Sequence, residues 1–298
     1  MDQKTGNIYK NLEIQISKLY KHARQGSFKT RERYVEGTKR FCKFLAENYK
    51  IQKFSNICDK HIEDYIEHMQ KKGLSVSTVK TDLAGIRFFH DQIDSPRNKI
   101  AGNAKYNLGK RVFGGVDRTW SKNEYESMVS LAREQGCERV ASAMGLALTQ
   151  GLRIHEVFRL DRSIAEATIR NGELKIKGKG GKERIIPLTE EGRQVLEQAI
   201  NGISRGQKLF VNKEEKTHLI IKETQNWIAR YRHYCSEPGR NVNMTFHGLR
   251  HLYACEQYSS LLKEGKSELE ARISVSQLLG HERDDVTRIY LSGGIQNG

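Results

Sequence analysis

Residues 172–188 read GELKIKGKGGKERIIPL, the one stretch where a period of two outcompetes a helical period. Leu174 and Ile176 alternate with Lys175 and Lys177, Gly180 and Gly181 supply turn chemistry, and Arg184 to Leu188 can return as the partner strand. The expectation is a single basic β-hairpin set in an otherwise helical chain. Downstream, Thr189 starts a helix, Trp227 and Tyr231 anchor another, and helices flank His247 and Tyr290.

Upstream of the hairpin, Ser121 to Glu124 forms an S-x-x-E capping box before Tyr125, Met128 and Val129, which marks the first helix of a second domain. Between Pro96 and Lys122 the helical pattern lapses, and Arg97, Lys99, Lys105, Lys110, Arg111, Arg118 and Lys122 face one acidic residue, Asp117. This reads as a basic interdomain linker. The first hundred residues are a run of amphipathic helices. One spans about Ile8 to Arg24, and one beginning near Thr30 aligns Tyr34, Thr38, Phe41 and Leu45. A third is capped by Asp59, carries Ile62, Tyr65, Ile66 and Met69, and stops at Gly73. A fourth opens at Ser77 and carries Val79, Leu83, Ile86 and Phe89. The fold class is therefore mainly α with a small β-hairpin. The expected divisions are 1–100, a linker over 101–117, and 118–298.

The 298 residues carry 51 Lys+Arg against 36 Asp+Glu, a formal charge of +15, with 29% charged and 37% hydrophobic residues. A polyanion is the expected partner. The most apolar stretch, Val140 to Leu148, is broken by Ser142 and Gly145 and falls far short of a membrane span; the opening MDQKTGNIYK is too polar for a signal peptide. Five scattered cysteines with no C-x-x-C pair point to a reducing, cytoplasmic setting and to no structural zinc. These features exclude a secreted disulfide scaffold, a membrane protein and a Pro-rich disordered chain.

The chain contains no P-loop, dinucleotide-binding turn, nucleophile elbow or H-E-x-x-H helix, so no cofactor is implied. What it does contain is an ordered set of basic residues ending in a tyrosine: GLRIHE (151–156), KGKGGKER (177–184), HGLRH (247–251), LGH (279–281) and TRIY (287–290). Each piece alone is common in so basic a chain; the ordered set with its flanking Gly and Leu residues is specific. In these motifs the sequence resembles the tyrosine recombinase (phage integrase) family over nearly its whole length. The helical first part resembles the family's core-binding domain, and residues from about 118 resemble its catalytic domain. The resemblance implies a two-domain, C-shaped DNA clamp.

Breaking a phosphodiester without metal needs fixed positive charge around the non-bridging oxygens, a nucleophile, and an acid for the departing 5′ oxygen. Arg153 and Arg250 suit the first need, because their planar forks grip phosphate in a bidentate geometry that lysine cannot reproduce. A free tyrosine, with a pKa of about 10, needs a proton acceptor or a cationic setting to attack at neutral pH. By resemblance, Tyr290 is the nucleophile that forms a 3′-phosphotyrosine, His247 assists with its proton, His281 donates to the phosphate, and Lys179 on the hairpin protonates the leaving oxygen. Glu156 either orients Arg153 or is a plain surface glutamate. Lys80 and Arg87, off the apolar face of their helix, and Lys182 and Arg184 in the hairpin are the expected DNA contacts.

The resemblance further implies a homotetramer on two double-stranded DNA sites with inverted core sequences, with room for an accessory directionality or architectural protein. The stretch between Arg250 and His281, including SSLLKEGKSELEAR, is longer than the family pattern and predicts lengthened helices or a surface insertion. Only eight residues follow Tyr290 and about 25 precede the first core-binding helix, so a simple recombinase is expected rather than a two-site integrase. The rival readings are a type IB-like topoisomerase, a catalytically silent DNA-bridging protein and a basic RNA-binding protein.

Overall fold

A computed structural model of the chain describes residues 1–111, 117–178, 181, 183–240, 242–280 and 284–291, with the backbone alone at 284–286 and 289. Its contacts divide it into two units, Met1–Val112 and Phe113–Gly298.

In the first unit, Asp2 caps α1 (Gln3–His22) by accepting the Thr5 N–H, and Ser27 caps α2 (Phe28–Asn48) through Thr30 N–H. A 3-10 turn at Phe54–Asn56 leads to α3 (Asp59–Lys71) and α4 (Val76–His90). Leu12, Ile16, Phe41, Leu45, Ile62, Leu83, Ile86 and Phe89 are fully buried between them. The tightest crossing is α2 on α4, where glycines let the backbones meet. A Cβ on Gly85 would stand 2.8 Å from the Tyr34 carbonyl oxygen, and one on Gly37 2.6 Å from Asp82 Oδ1. Asp82, wholly buried in that crossing, accepts from Arg40 Nη2 at 2.6 Å, Arg40 Nε at 3.0 Å and Tyr65 Oη at 3.2 Å, so the buried carboxylate is paired.

Two caps differ from the sequence reading. Cys58, not Asp59, is the N-cap of α3, and Ser75, not Ser77, caps α4 by accepting the Thr78 N–H. Asp59 instead reaches the segment after α4. It accepts the Ala101 N–H at 2.9 Å, Tyr106 Oη at 2.7 Å and Lys105 Nζ at 2.6 Å. Lys80 and Arg87 serve the same segment: Lys80 donates to Gly109 O at 2.7 Å, and Arg87 to Ala101 O at 3.2 Å and Asn103 Oδ1 at 2.5 Å. Lys80 and Arg87, the expected DNA contacts of this unit, thus tie residues 101–109 to it. Much of the expected linker is thus packed structure.

In the second unit the capping box at Ser121 and Glu124 opens α5 (Lys122–Glu134), followed by α6 (Glu138–Thr149). The apolar stretch from Val140 onward is the buried helix at the centre of this unit, with Ala143, Met144, Leu146 and Ala147 fully covered. A single turn, α7 (Ile154–Val157), and α8 (Arg162–Asn171) lead into the hairpin of β1 (Glu173–Lys177) and β2 (Glu183–Pro187). Register pairs Leu174 with Ile186 and Ile176 with Arg184. The alternation therefore turns Leu174, Ile176, Ile186 and Arg184 inward and leaves Ile185 exposed. Thr189 caps α9 (Glu190–Ile200), and α10 (Thr217–Cys235) follows. The last three helices are α11 (Phe246–Lys263), α12 (Glu268–Leu279) and α13 (Asp284–Leu291). Tyr253, Ala254, Ala271, Val275, Leu279, Tyr290 and Leu291 bury one another between them. SSLLKEGKSELEAR forms the end of α11, a turn through Gly265, and the start of α12 with a Ser267–Glu270 capping box. No helix among the described residues is long and apolar enough to cross a membrane.

Candidate active site

Helix α11 is the spine of the site. Its N-terminus is fixed by Trp120, whose Nε1 donates to Thr245 O at 2.9 Å and whose ring packs where a Cβ on Gly248 would stand, 2.5 Å from Trp120 Cδ1. From this anchored end, His247, Arg250 and His251 project within little more than one turn.

Arg250 is wholly buried, and its Nη1 and Nη2 donate to the carbonyls of Gly151 and Leu279. These bonds join the loop before α7, α11 and the end of α12 through one guanidinium. Its Nε has no hydrogen-bond partner among the described residues. Of the five N–H donors on the fork, only part is therefore spent on the fold. Burial, and after it the charge of Arg153, lowers the Arg250 pKa to about 10, so it stays charged at neutral pH. Gly151 makes the approach possible: its φ is +57°, and a Cβ there would lie 2.4 Å from the Tyr253 ring.

Arg153 stands at the N-cap of α7, half-buried, with Glu156 closing on it. Glu156 Oε2 accepts the Arg153 N–H at 2.8 Å, and Oε1 accepts Arg153 Nη1 at 3.0 Å. The same carboxylate takes both ends of the Arg184 fork, Nη1 to Oε1 at 2.9 Å and Nη2 to Oε2 at 2.7 Å. Burial would raise the Glu156 pKa, but the hydrogen bonds and charge of Arg184, then of Arg153, outweigh it and hold the value at about 2. Glu156 is therefore an orienting carboxylate and not a surface residue. Arg184, expected to face DNA, has a side chain only 6% exposed and held in an ion pair with Glu156.

Tyr290, on α13, closes the site. Its Oη lies 3.2 Å from His247 Nε2, and the Arg250 guanidinium is 5.7 Å from its ring centroid. His247 is exposed to solvent. The protein packed around it, then His251, Arg250, Arg153 and Arg118, hold its pKa well below the usual histidine range. A neutral imidazole can accept a proton at Nε2, which is the atom facing the phenol.

The structure thus gathers Arg153, Glu156, His247, Arg250 and Tyr290 from three motifs far apart in sequence, at 151–156, 247–251 and 287–290. Lys179, Lys182 and His281 lie outside the described residues. Sequence reasoning missed His251, although it quoted the motif. This residue is buried against Tyr290, and its i, i+4 spacing from His247 is the signal that places both rings on one face. No group of three His, Cys, Asp or Glu side chains suited to a metal ion occurs among the described residues.

Burial, with lesser contributions from its charged neighbours, depresses the His251 pKa from 6.5 to about 4. The unfolded chain then binds more protons than the folded one between these values, so stability rises with pH across that window and is lost as pH falls through it. Between pH 7 and pH 5 the wild type should lose about 2 kcal/mol more than His251→Phe, which has nothing to titrate at this position. Urea denaturation of both proteins at the two pH values checks it; parallel losses would show that His251 is not the group responsible.

The phage integrase family matches residues 118–293, and the family described as phage integrase, N-terminal, matches residues 9–95. Tyrosine recombinase XerD of Halalkalibacterium halodurans is 22% identical over 269 residues, spanning 88% of this chain and 86% of its own. Tyrosine recombinase XerC of Histophilus somni is 25% identical over 294 residues, spanning 94% and 92%. A lambda integrase dimer bound to a COC′ core site superposes with a TM-score of 0.67 at 18% identity, covering 96% of this chain and 97% of that one. The Tn1549 transposon integrase in complex with a circular intermediate DNA gives 0.63 at 16% identity, covering 94% of each chain. At these identities the two structures share the fold.

Proposed function

The chain belongs to the phage integrase family, and from that premise we propose a site-specific DNA recombinase that cuts and rejoins strands through a 3′-phosphotyrosine at Tyr290. The observation that carries this reading is the 3.2 Å approach of Tyr290 Oη to His247 Nε2 beside the charged Arg250.

In the forward step Tyr290 Oη bonds to phosphorus, its proton passes to His247 Nε2, and the bond from phosphorus to the 5′ oxygen breaks. The departing oxygen takes a proton, a task the family resemblance gives to Lys179. Arg250 and Arg153 supply fixed charge where the non-bridging oxygens gain it, and Glu156 holds Arg153 in place. The phosphotyrosine conserves the bond energy, so a 5′-hydroxyl from a second strand reverses the step with no nucleotide cofactor. Tyrosine recombinase relatives and the DNA-bound integrases of like fold support duplex DNA as the substrate. We extend the reading to a cytoplasmic homotetramer on two inverted core sites, two protomers per site, serving a mobile element or the resolution of dimeric replicons.

The test is the purified protein on a plasmid carrying the DNA that flanks its own gene, quenched in detergent. Covalent complexes should form at one short sequence, with protein on the 3′ phosphate and a free 5′-hydroxyl. Protein on the 5′ end would overturn the mechanism. Covalent ends scattered over the whole plasmid would overturn site specificity and mark a relaxing enzyme instead.

A further inference from the structure

The geometry points to His251 as a positioning residue for the nucleophile, one that sets the ring plane of Tyr290 without touching DNA. The inference rests on the reading of Tyr290 as the attacking group. Three contacts carry it.

First, the His251 ring lies face to face with the Tyr290 ring, centroids 4.4 Å apart and planes within 22°. A stacked neighbour fixes the plane of a phenol, and that plane decides where Oη points. Second, the same imidazole stands edge-on to His247, 5.3 Å between centroids and 82° between planes. His247 in turn meets the Tyr290 ring at 67°, so the three rings brace one another. Third, Cys255, one turn further along α11 from His251, donates its Sγ–H to the Tyr290 carbonyl at 3.6 Å. Side chains at positions 247, 251 and 255 thus form one row along α11. That row grips the phenol at its hydroxyl, its ring and its backbone.

The positioning matters because α13 is short, Asp284–Leu291, and Tyr290 sits in its last turn, where a helix has the fewest backbone bonds to hold it. Small errors there become large at Oη. A misplacement of about 1 Å can cost about 10²-fold in rate. His251 is itself only 4% exposed, so the packing around it fixes the face it offers the phenol.

The experiment uses the full chain, a nicked core-site duplex that traps the cleaved state, and two variants. His251→Phe keeps a stacking ring. His251→Leu fills a similar space and has no flat face to offer the phenol. We expect His251→Leu to lower the single-turnover cleavage rate of bound DNA by about 10- to 100-fold, with the dissociation constant for DNA within twofold and the melting temperature at pH 7 within a few degrees of wild type. His251→Phe should recover most of that loss. Cleavage by His251→Leu within threefold of wild type overturns the inference. So does a slower rate matched by weaker DNA binding or by a lower melting temperature, since that is the signature of a merely structural residue. Failure of the underlying reading is distinct: there, wild type forms no covalent complex, or Tyr290→Phe still forms one.

Discussion

Tyr290→Phe abolishes the covalent protein–DNA complex and leaves DNA affinity within about twofold of wild type, because the substitution removes one atom and spares the packing around it. The ring keeps its stack on His251, its edge contact with His247 and the Arg250 guanidinium above it. What goes is Oη and its hydrogen bond to His247, about 1 kcal/mol of stability. The loss in cleavage should be on the order of 10⁴-fold or more, as for other enzymes stripped of their nucleophile. Two other tyrosines share the cluster, and neither can substitute. Tyr253 is buried beneath Gly151, and burial pushes its pKa up to about 12; Tyr258 lies two turns further along α11 from His247 than Arg250 does. Detergent-quenched reactions with end-labelled core-site DNA read the outcome directly. A labelled covalent band persisting in the variant sinks the assignment.

Much of this site is legible in the sequence, and the exceptions have physical causes. Helices α5 and α9 show their starts plainly, since Ser121, Glu124 and Thr189 act within three residues of themselves. The hairpin is readable from its alternation. The inward turn of Arg184 is readable from register and not from its charge: once Ile186 is placed inward, the period of two puts Arg184 inward with it. The fate of Lys80, Arg87 and Asp59 was not readable, because their partners lie in residues 101–109, which show no periodicity of their own. His251 was hidden for the opposite reason. Helix α11 is buried on nearly every side from Phe246 to Ala254, so no polar face singles out one histidine from the next.

Arg184 is also the residue whose loss should most disturb the fold of the site. Its fork fills both oxygens of Glu156, a carboxylate only 2% exposed, and its Cδ lies where a Cβ on Gly280 would come within 2.9 Å. One side chain thus links the hairpin, the Arg153–Glu156 turn and the end of α12. Arg184→Met leaves the buried carboxylate with Arg153 alone, and breaking a buried pair from one side typically costs about 3–5 kcal/mol. Removing the charge as well, in Arg184→Met with Glu156→Gln, should return most of that stability, since a neutral buried pair of similar volume is often tolerated. Cleavage should not return with it. In the double variant an amide faces Arg153 where a carboxylate held it at 3.0 Å, and the phosphate clamp loses its orientation. Urea denaturation and single-turnover cleavage of the wild type, the single variant and the double variant separate the two effects. Recovery of cleavage together with stability would show that Glu156 and Arg184 serve the fold alone; a cost under about 1 kcal/mol for Arg184→Met would show that the ion pair is not what holds the three motifs together.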